Sequence, residues 1–147
     1  MLMNRSALTA EIAAVAARLV VEEGLDYAAA KRHAGKQMGL PARVPWPDND
    51  QLESAVREHI ALFCVDTQPG ELRALRDVAL AWMERLSPFR PYLCGAVWHG
   101  TATRYSDIHL RLYCDDPKAV EWALLDQRVD YQPGSIPGGK GESAEVL

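Results

Sequence analysis

The chain has 147 residues, 48% of them hydrophobic and 24% charged, which is enough for one sizeable core and reads as a single domain carrying a helical part. With 20 acidic against 16 basic side chains the net charge is −4, so the protein offers no broad attraction to nucleic acid or to an anionic membrane, and only a local basic patch would recruit RNA. Three cysteines (Cys64, Cys94, Cys114) without a Cys-x-x-Cys pair read as buried thiols, and Arg5, Glu11 and Arg18 interrupt the apolar N-terminal stretch well short of the ~18 residues of a membrane span, so the expectation is a soluble cytoplasmic protein.

In chain order, Leu8, Ile12, Val15, Ala16, Leu19 and Val20 recur at helical spacing, and Gly24 is placed to end that helix in a left-handed cap. Asp26 caps a second helix from Tyr27 to Met38, closed by Gly39 and Pro41. Pro41, Pro45 and Pro47 remove three backbone donors in succession, which predicts an extended linker ending in an N-cap at Asp48 or Asn49. A third helix follows with Leu52, Ala55, Val56, His59, Ile60 and Phe63 on one face. A fourth begins near Pro69 and offers Leu72, Leu75, Ala79, Trp82 and Leu86 as a buried stripe.

The pattern changes at Ser87-Pro88. PYLCGAVW is short and apolar and predicts a buried strand. DIHLRLYC then alternates, with Ile108, Leu110, Leu112 and Cys114 on one face and Asp107, His109, Arg111 and Tyr113 on the other. Asp116-Pro117 opens a further helix with apolar residues Val120, Trp122, Ala123, Leu124 and Leu125, and VDY at 129–131 suggests a third short strand. The Gly/Pro/Ser-rich tail from 133 to 147 predicts a mobile segment, and its final SAEVL resembles the opening of a strand.

Gly95-Ala96 after an apolar strand, a polar gap containing Gly100, and Ser106-Asp107-Ile108 opening the next strand together resemble the signature of nucleotidyltransferases of the DNA polymerase β superfamily. The resemblance covers roughly residues 90–131. It implies a small mixed-sheet β-α-β module over 88–132, which, with the helical N-terminal part read from periodicity over 1–87 and the tail that follows, makes an α+β fold. It also implies transfer of a nucleotidyl group from a nucleoside triphosphate, assisted by a divalent metal ion, Mg²⁺ or Mn²⁺. Asp107 and His109 take the catalytic and metal-ligand positions. Gly95, Ala96, Gly100, Ser106 and Arg111 are the nucleotide-binding candidates. The physical logic is that glycine lets backbone approach a triphosphate, while side chains two apart on a strand share a face and reach one metal site.

Three positions depart from the superfamily pattern. Ala96 stands where a serine or glycine is usual, which removes a hydroxyl and keeps the backbone amide. His109 stands where a second acid is usual, and imidazole suits Mn²⁺ better than Mg²⁺, which prefers oxygen ligands. Asp130 is the candidate third acid. The same residues also suit a catalytically inactive module that binds a nucleotide or protein partner through this fold, and the bland reading is an ordinary turn beside a solvated sheet face. His59 reads as a hydrogen-bonded core histidine, and Lys31, Arg32, His33 and Lys36 as a solvated face. A zinc site from Cys94, His99, His109 and Cys114 is disfavoured because residues five apart on a regular strand face opposite sides.

Overall fold

The computed structural model describes residues 4–137 and 143–146 of the chain. The fold is α+β and mostly helical. α1 spans Arg5–Glu23, α2 Tyr27–Gln37, α3 Asn49–Phe63 and α4 Gln68–Arg85; then come β1 (Tyr92–Cys94), α5 (Gly95–His99), β2 (His109–Arg111), α6 (Pro117–Asp126), β3 (Gly134–Pro137) and β4 (Ser143–Val146). The chain divides into two compact units, one joining the residues up to Arg85 with Tyr92–Arg111, the other joining Leu86–Pro91 with the residues from Leu112 onward.

The first unit is built on α1, α2 and α3. Ile12, Ala16, Ala17, Leu19, Ala30, Ala34, Leu52 and Val56 are almost completely excluded from solvent and form its core. Alanines at these positions keep the side chains short, so the helices approach closely. The helix ends follow local chemistry. Gly24 closes α1 at φ +70°, and Asp26 accepts the Ala29 N–H to cap α2. Asp48 and Gln51 form a reciprocal capping box on α3, each side chain accepting or returning a bond at the other's backbone N–H.

Several expectations require correction. The expected α4 stripe is the inner face of that helix but is only partly covered: Ala79 and, just past the helix end, Leu86 are buried, Leu72, Leu75 and Trp82 are half-buried, and Val78 and Leu80, off the stripe, face solvent. Phe63, placed on the inner face of α3 by spacing, is exposed at the helix end. PYLCGAVW is not one strand. Its strand stops at Cys94, because Gly95 takes φ +71° and turns the chain into the five-residue α5. β1 and β2 pair antiparallel, with Tyr92 opposite Arg111, Leu93 opposite Leu110 and Cys94 opposite His109. The expected mixed sheet is therefore a two-stranded antiparallel one. The alternation through residues 107–114 persists as alternating exposure even though only His109–Arg111 carry strand pairing.

In the second unit a short 3₁₀ turn at Ser87–Phe89 meets the chain after β2, where Tyr113 N–H donates to the Phe89 carbonyl at 2.8 Å. Asp116 accepts the Lys118 N–H at the start of α6, which buries Val120 and Leu124 but exposes Trp122 and Leu125. Residues 129–131 form no strand, so Asp130 is not carried on one. In the tail, expected to be mobile, β3 and β4 pair antiparallel; residues 138–142 and 147 lie outside the described residues. Finally, the three cysteines are half-buried free thiols, not fully buried ones.

Candidate functional site

Gly95 illustrates why this sequence turns where it does. Its positive φ is costly for any residue with a Cβ, and a Cβ built there would lie 3.0 Å from Cδ2 of His109 on the paired strand. Glycine thus satisfies two conditions together, a left-handed backbone and a close approach of the imidazole.

The rest of the turn is held by side chains of α3 and α4. Arg76 donates from Nε to the Val97 carbonyl at 3.0 Å and from Nη2 to that of Trp98 at 3.2 Å. Arg57 Nη2 donates to the His99 carbonyl at 2.6 Å. The buried Gln68 donates from Nε2 to the carbonyls of Gly100 at 3.2 Å and Ala102 at 2.8 Å, and Glu71 accepts the Arg104 N–H at 2.9 Å. The carbonyls that a five-residue helix cannot satisfy for itself are thereby satisfied from outside. Thr101, Ala102 and Thr103 are buried as a consequence. A tight turn follows, in which Ser106 N–H donates to the Thr103 carbonyl and Ser106 Oγ accepts the Thr103 N–H.

A cleft of about 440 Å³ opens beside this turn, and all of its lining belongs to the first unit. Gly95, Ala96, Ser106, Asp107 and His109 contribute to it, and so do Asp26, Tyr27, Asn49, Asp50 and Glu53 from α2, α3 and their approaches. His99, Thr101 and Tyr105 join them. Among the described residues no lysine or arginine lines the cleft, whereas four carboxylates and two imidazoles do. Its electrostatics therefore favour a cation, or an anion that arrives with one.

Five of the residues singled out from the sequence thus come together: Gly95, Ala96, Ser106, Asp107 and His109. Two do not line the cleft. Gly100 caps α5 in a left-handed conformation with its Cβ position toward Arg76, and Arg111 stands exposed at the far end of β2 opposite Tyr92. Asp107 and His109 are both exposed, but Asp107 lies just ahead of β2, which begins at His109, so Ser106-Asp107-Ile108 do not open the strand as expected. Among the described residues no group of three or more His, Cys, Asp or Glu side chains is arranged to hold a metal ion, which excludes a preformed protein cage there.

The helical contribution to the cleft was not legible from spacing. Glu53 Oε1 lies 3.2 Å from Arg57 Nη2 and 3.4 Å from His99 Nδ1. The i,i+4 relation of Glu53 to Arg57 is visible in the sequence as a helix-surface pair, but nothing in the sequence points that pair at residue 99. Tyr27 lies half-buried near the same carboxylate. Burial, and then the negative charge of Glu53, push its phenol above the ordinary tyrosine value, against smaller downward influences from a hydrogen bond with Thr101 and from Arg57. Tyr27 therefore enters the cleft as a neutral hydroxyl near pH 7.

Elsewhere, His59 is largely buried, yet its Nε2 has no hydrogen-bond partner and lies 3.6 Å from Glu22 Oε1, in place of the hydrogen-bonded core histidine expected. Lys31 reaches Asn49 Oδ1 at 3.1 Å, while Arg32, His33 and Lys36 are solvated as expected. No family model, curated protein or solved structure matches the chain.

Proposed function

We propose that the cleft binds a nucleoside triphosphate together with a divalent metal ion and transfers its nucleotidyl group to an acceptor. The observation that carries this reading is the convergence of Gly95, Ala96, Ser106 and Asp107, which carry part of the resemblance to DNA polymerase β-type nucleotidyltransferases, on one cleft with His109, which stands at the position of the second acid. Charge supports the metal requirement independently. A triphosphate entering a cleft that offers carboxylates and no lysine or arginine needs a cation to neutralise it.

Asp107 and His109 are two ligands, too few for an ion to be held by protein alone, and Mg²⁺ or Mn²⁺ at such sites is commonly completed by substrate phosphates and water. The ion and the nucleotide therefore arrive as one complex, with Mn²⁺ preferred because His109 supplies nitrogen. The metal would polarise the phosphoryl oxygens; Gly95 and Ala96 bring backbone close to the phosphates, and Asp107 fixes the ion.

A second reading is favoured by His109 in place of an acid and by Asp130 lying off any strand. In it, the same cleft binds the metal–nucleotide complex, or a protein partner, without turnover.

Calorimetric titration with ATP in the presence of Mn²⁺, Mg²⁺ or EDTA decides whether the site exists. Binding is expected with Mn²⁺, more weakly with Mg²⁺ and not in EDTA. Asp107→Ala loses it, and His109→Asp, which restores a hard oxygen ligand, raises Mg²⁺-dependent affinity at least about tenfold. Thermal melts control for the repulsion between two adjacent carboxylates. ATP binding that survives both EDTA and Asp107→Ala refutes the metal–nucleotide site. Binding without any pyrophosphate release across an acceptor panel selects the second reading.

A further inference from the structure

We propose that His99, oriented by Glu53, is the general base that accepts the proton of the acceptor group, an inference that rests on the nucleotidyl-transfer reading above. Both side chains line the cleft that holds Gly95, Ala96, Asp107 and His109. Glu53 Oε1 lies 3.4 Å from His99 Nδ1, a separation of the kind that tightens when a substrate closes a site. An ionised carboxylate only accepts hydrogen bonds, so Glu53 places the imidazole proton on Nδ1 and leaves the Nε2 lone pair available to a bound acceptor. This is the base-plus-orienting-carboxylate arrangement in which a nucleophile is activated.

The pair is held more firmly than two surface side chains would be. Arg57 Nη2 bonds Glu53 Oε1 at 3.2 Å and also the His99 main-chain oxygen at 2.6 Å, so one guanidinium ties the carboxylate to the backbone of the residue it orients. Arg76 and Gln68 fix the carbonyls on either side. The imidazole itself remains 53% exposed, as a group that must meet a substrate has to be.

The other candidates in the cleft are less suited. His109 is occupied in this reading as a metal ligand beside Asp107. Tyr27 keeps its proton near pH 7, with burial and Glu53 further opposing its ionisation, so it is no base. Of the remaining histidines, His33 stands exposed on α2 and His59 lies against Glu22 of α1; neither lines the cleft.

The step balances as follows. The acceptor O–H proton passes to His99 Nε2 as the acceptor oxygen forms a bond to the α-phosphorus. The bond from that phosphorus to the oxygen bridging the α- and β-phosphates breaks, and pyrophosphate leaves with the electron pair. Imidazolium then returns its proton to solvent.

The test uses the full chain with ATP, Mn²⁺ and water as acceptor, and reads pyrophosphate release alongside ATP affinity. His99→Gln is expected to lower release about 10²- to 10⁴-fold while ATP affinity changes less than about twofold. Added imidazole should restore part of the rate in His99→Ala. Glu53→Gln, acting only through His99, should lose less, and the ¹⁵N resonances of His99 should move away from the Nδ1–H tautomer expected of the parent. His33→Gln serves as the control and keeps the parental rate. A parent that binds Mn²⁺–ATP but releases no pyrophosphate, a His99→Gln variant at the parental rate, or an Nε2–H tautomer in the parent overturns the base assignment and leaves the nucleotide site standing. A parent that does not bind Mn²⁺–ATP overturns both.

Discussion

Tyr27 shows at the scale of one residue how position changes chemistry. Its phenol is half-buried beside the Glu53 carboxylate, and both burial and that charge raise its pKa above the ordinary value of 10.0. The folded protein therefore holds the phenolic proton more tightly than the unfolded chain does. The associated stability is complete below about pH 10, the unfolded value, and is lost as pH rises toward and through the raised folded value. Urea melts from pH 8 upward should show a steeper alkaline fall for the parent than for Tyr27→Phe, and superimposable curves would contradict the assignment. Nothing in DYAAAKRH announces this environment: Asp26 is legible as an N-cap, but the neighbour that matters, Glu53, lies in another helix. Gly95 was legible as a turn residue, whereas its second requirement, the His109 ring packed at its α-carbon, depends on strand pairing that sequence periodicity does not reveal.

Element by element, capping chemistry carried most of the legible information. Gly24, Asp26 and Asp48 mark helix ends where they were expected, because each acts on its own backbone within about one helical turn. At Asp48 the box with Gln51 satisfies two backbone N–H groups, so Asp48→Ala should cost about 1 kcal/mol in denaturant-derived stability, and Asp48→Asn or Asp48→Ser much less. A loss below a few tenths of a kcal/mol in the alanine variant would show the box to be idle. The strands were harder to read. β1 and β2 have only three residues each, so Gly95 could end one strand and open a helix inside what looked like a continuous apolar run. In α4 the helical spacing did mark the inner face, with Leu72, Leu75, Ala79, Trp82 and Leu86 buried or half-buried, but it gave no sign that Gln68 and Arg76 of the same helix bond the backbone carbonyls of residues 97–102.

The whole molecule concentrates its apolar burial in the three-helix core of the first unit. Ile12 is fully buried among α1, α2 and α3, so Ile12→Ala should cost about 2–5 kcal/mol by calorimetry or denaturant titration, whereas Leu80→Gln on the exposed side of α4 should change stability by no more than about 0.5 kcal/mol. Comparable losses in the two variants would mean the core is misplaced. Composition anticipated the class of fold, since so apolar a chain must bury a core, but an overall charge of −4 said nothing of a cleft from which lysine and arginine are missing. The pairing of Tyr92 with Arg111 has a further consequence. Residues 92–111 belong to the first unit, and the chain enters and leaves this stretch side by side, with directly opposed α-carbons only about 5 Å apart, as across any antiparallel pair. The stretch that holds the turn and strand residues of the cleft is thus a closed loop whose two chain ends lie together. It can be transplanted as a single cassette into another antiparallel hairpin, provided that the host supplies equivalents of Arg57, Gln68, Glu71 and Arg76; without those four anchors the grafted loop keeps its sequence and loses its shape.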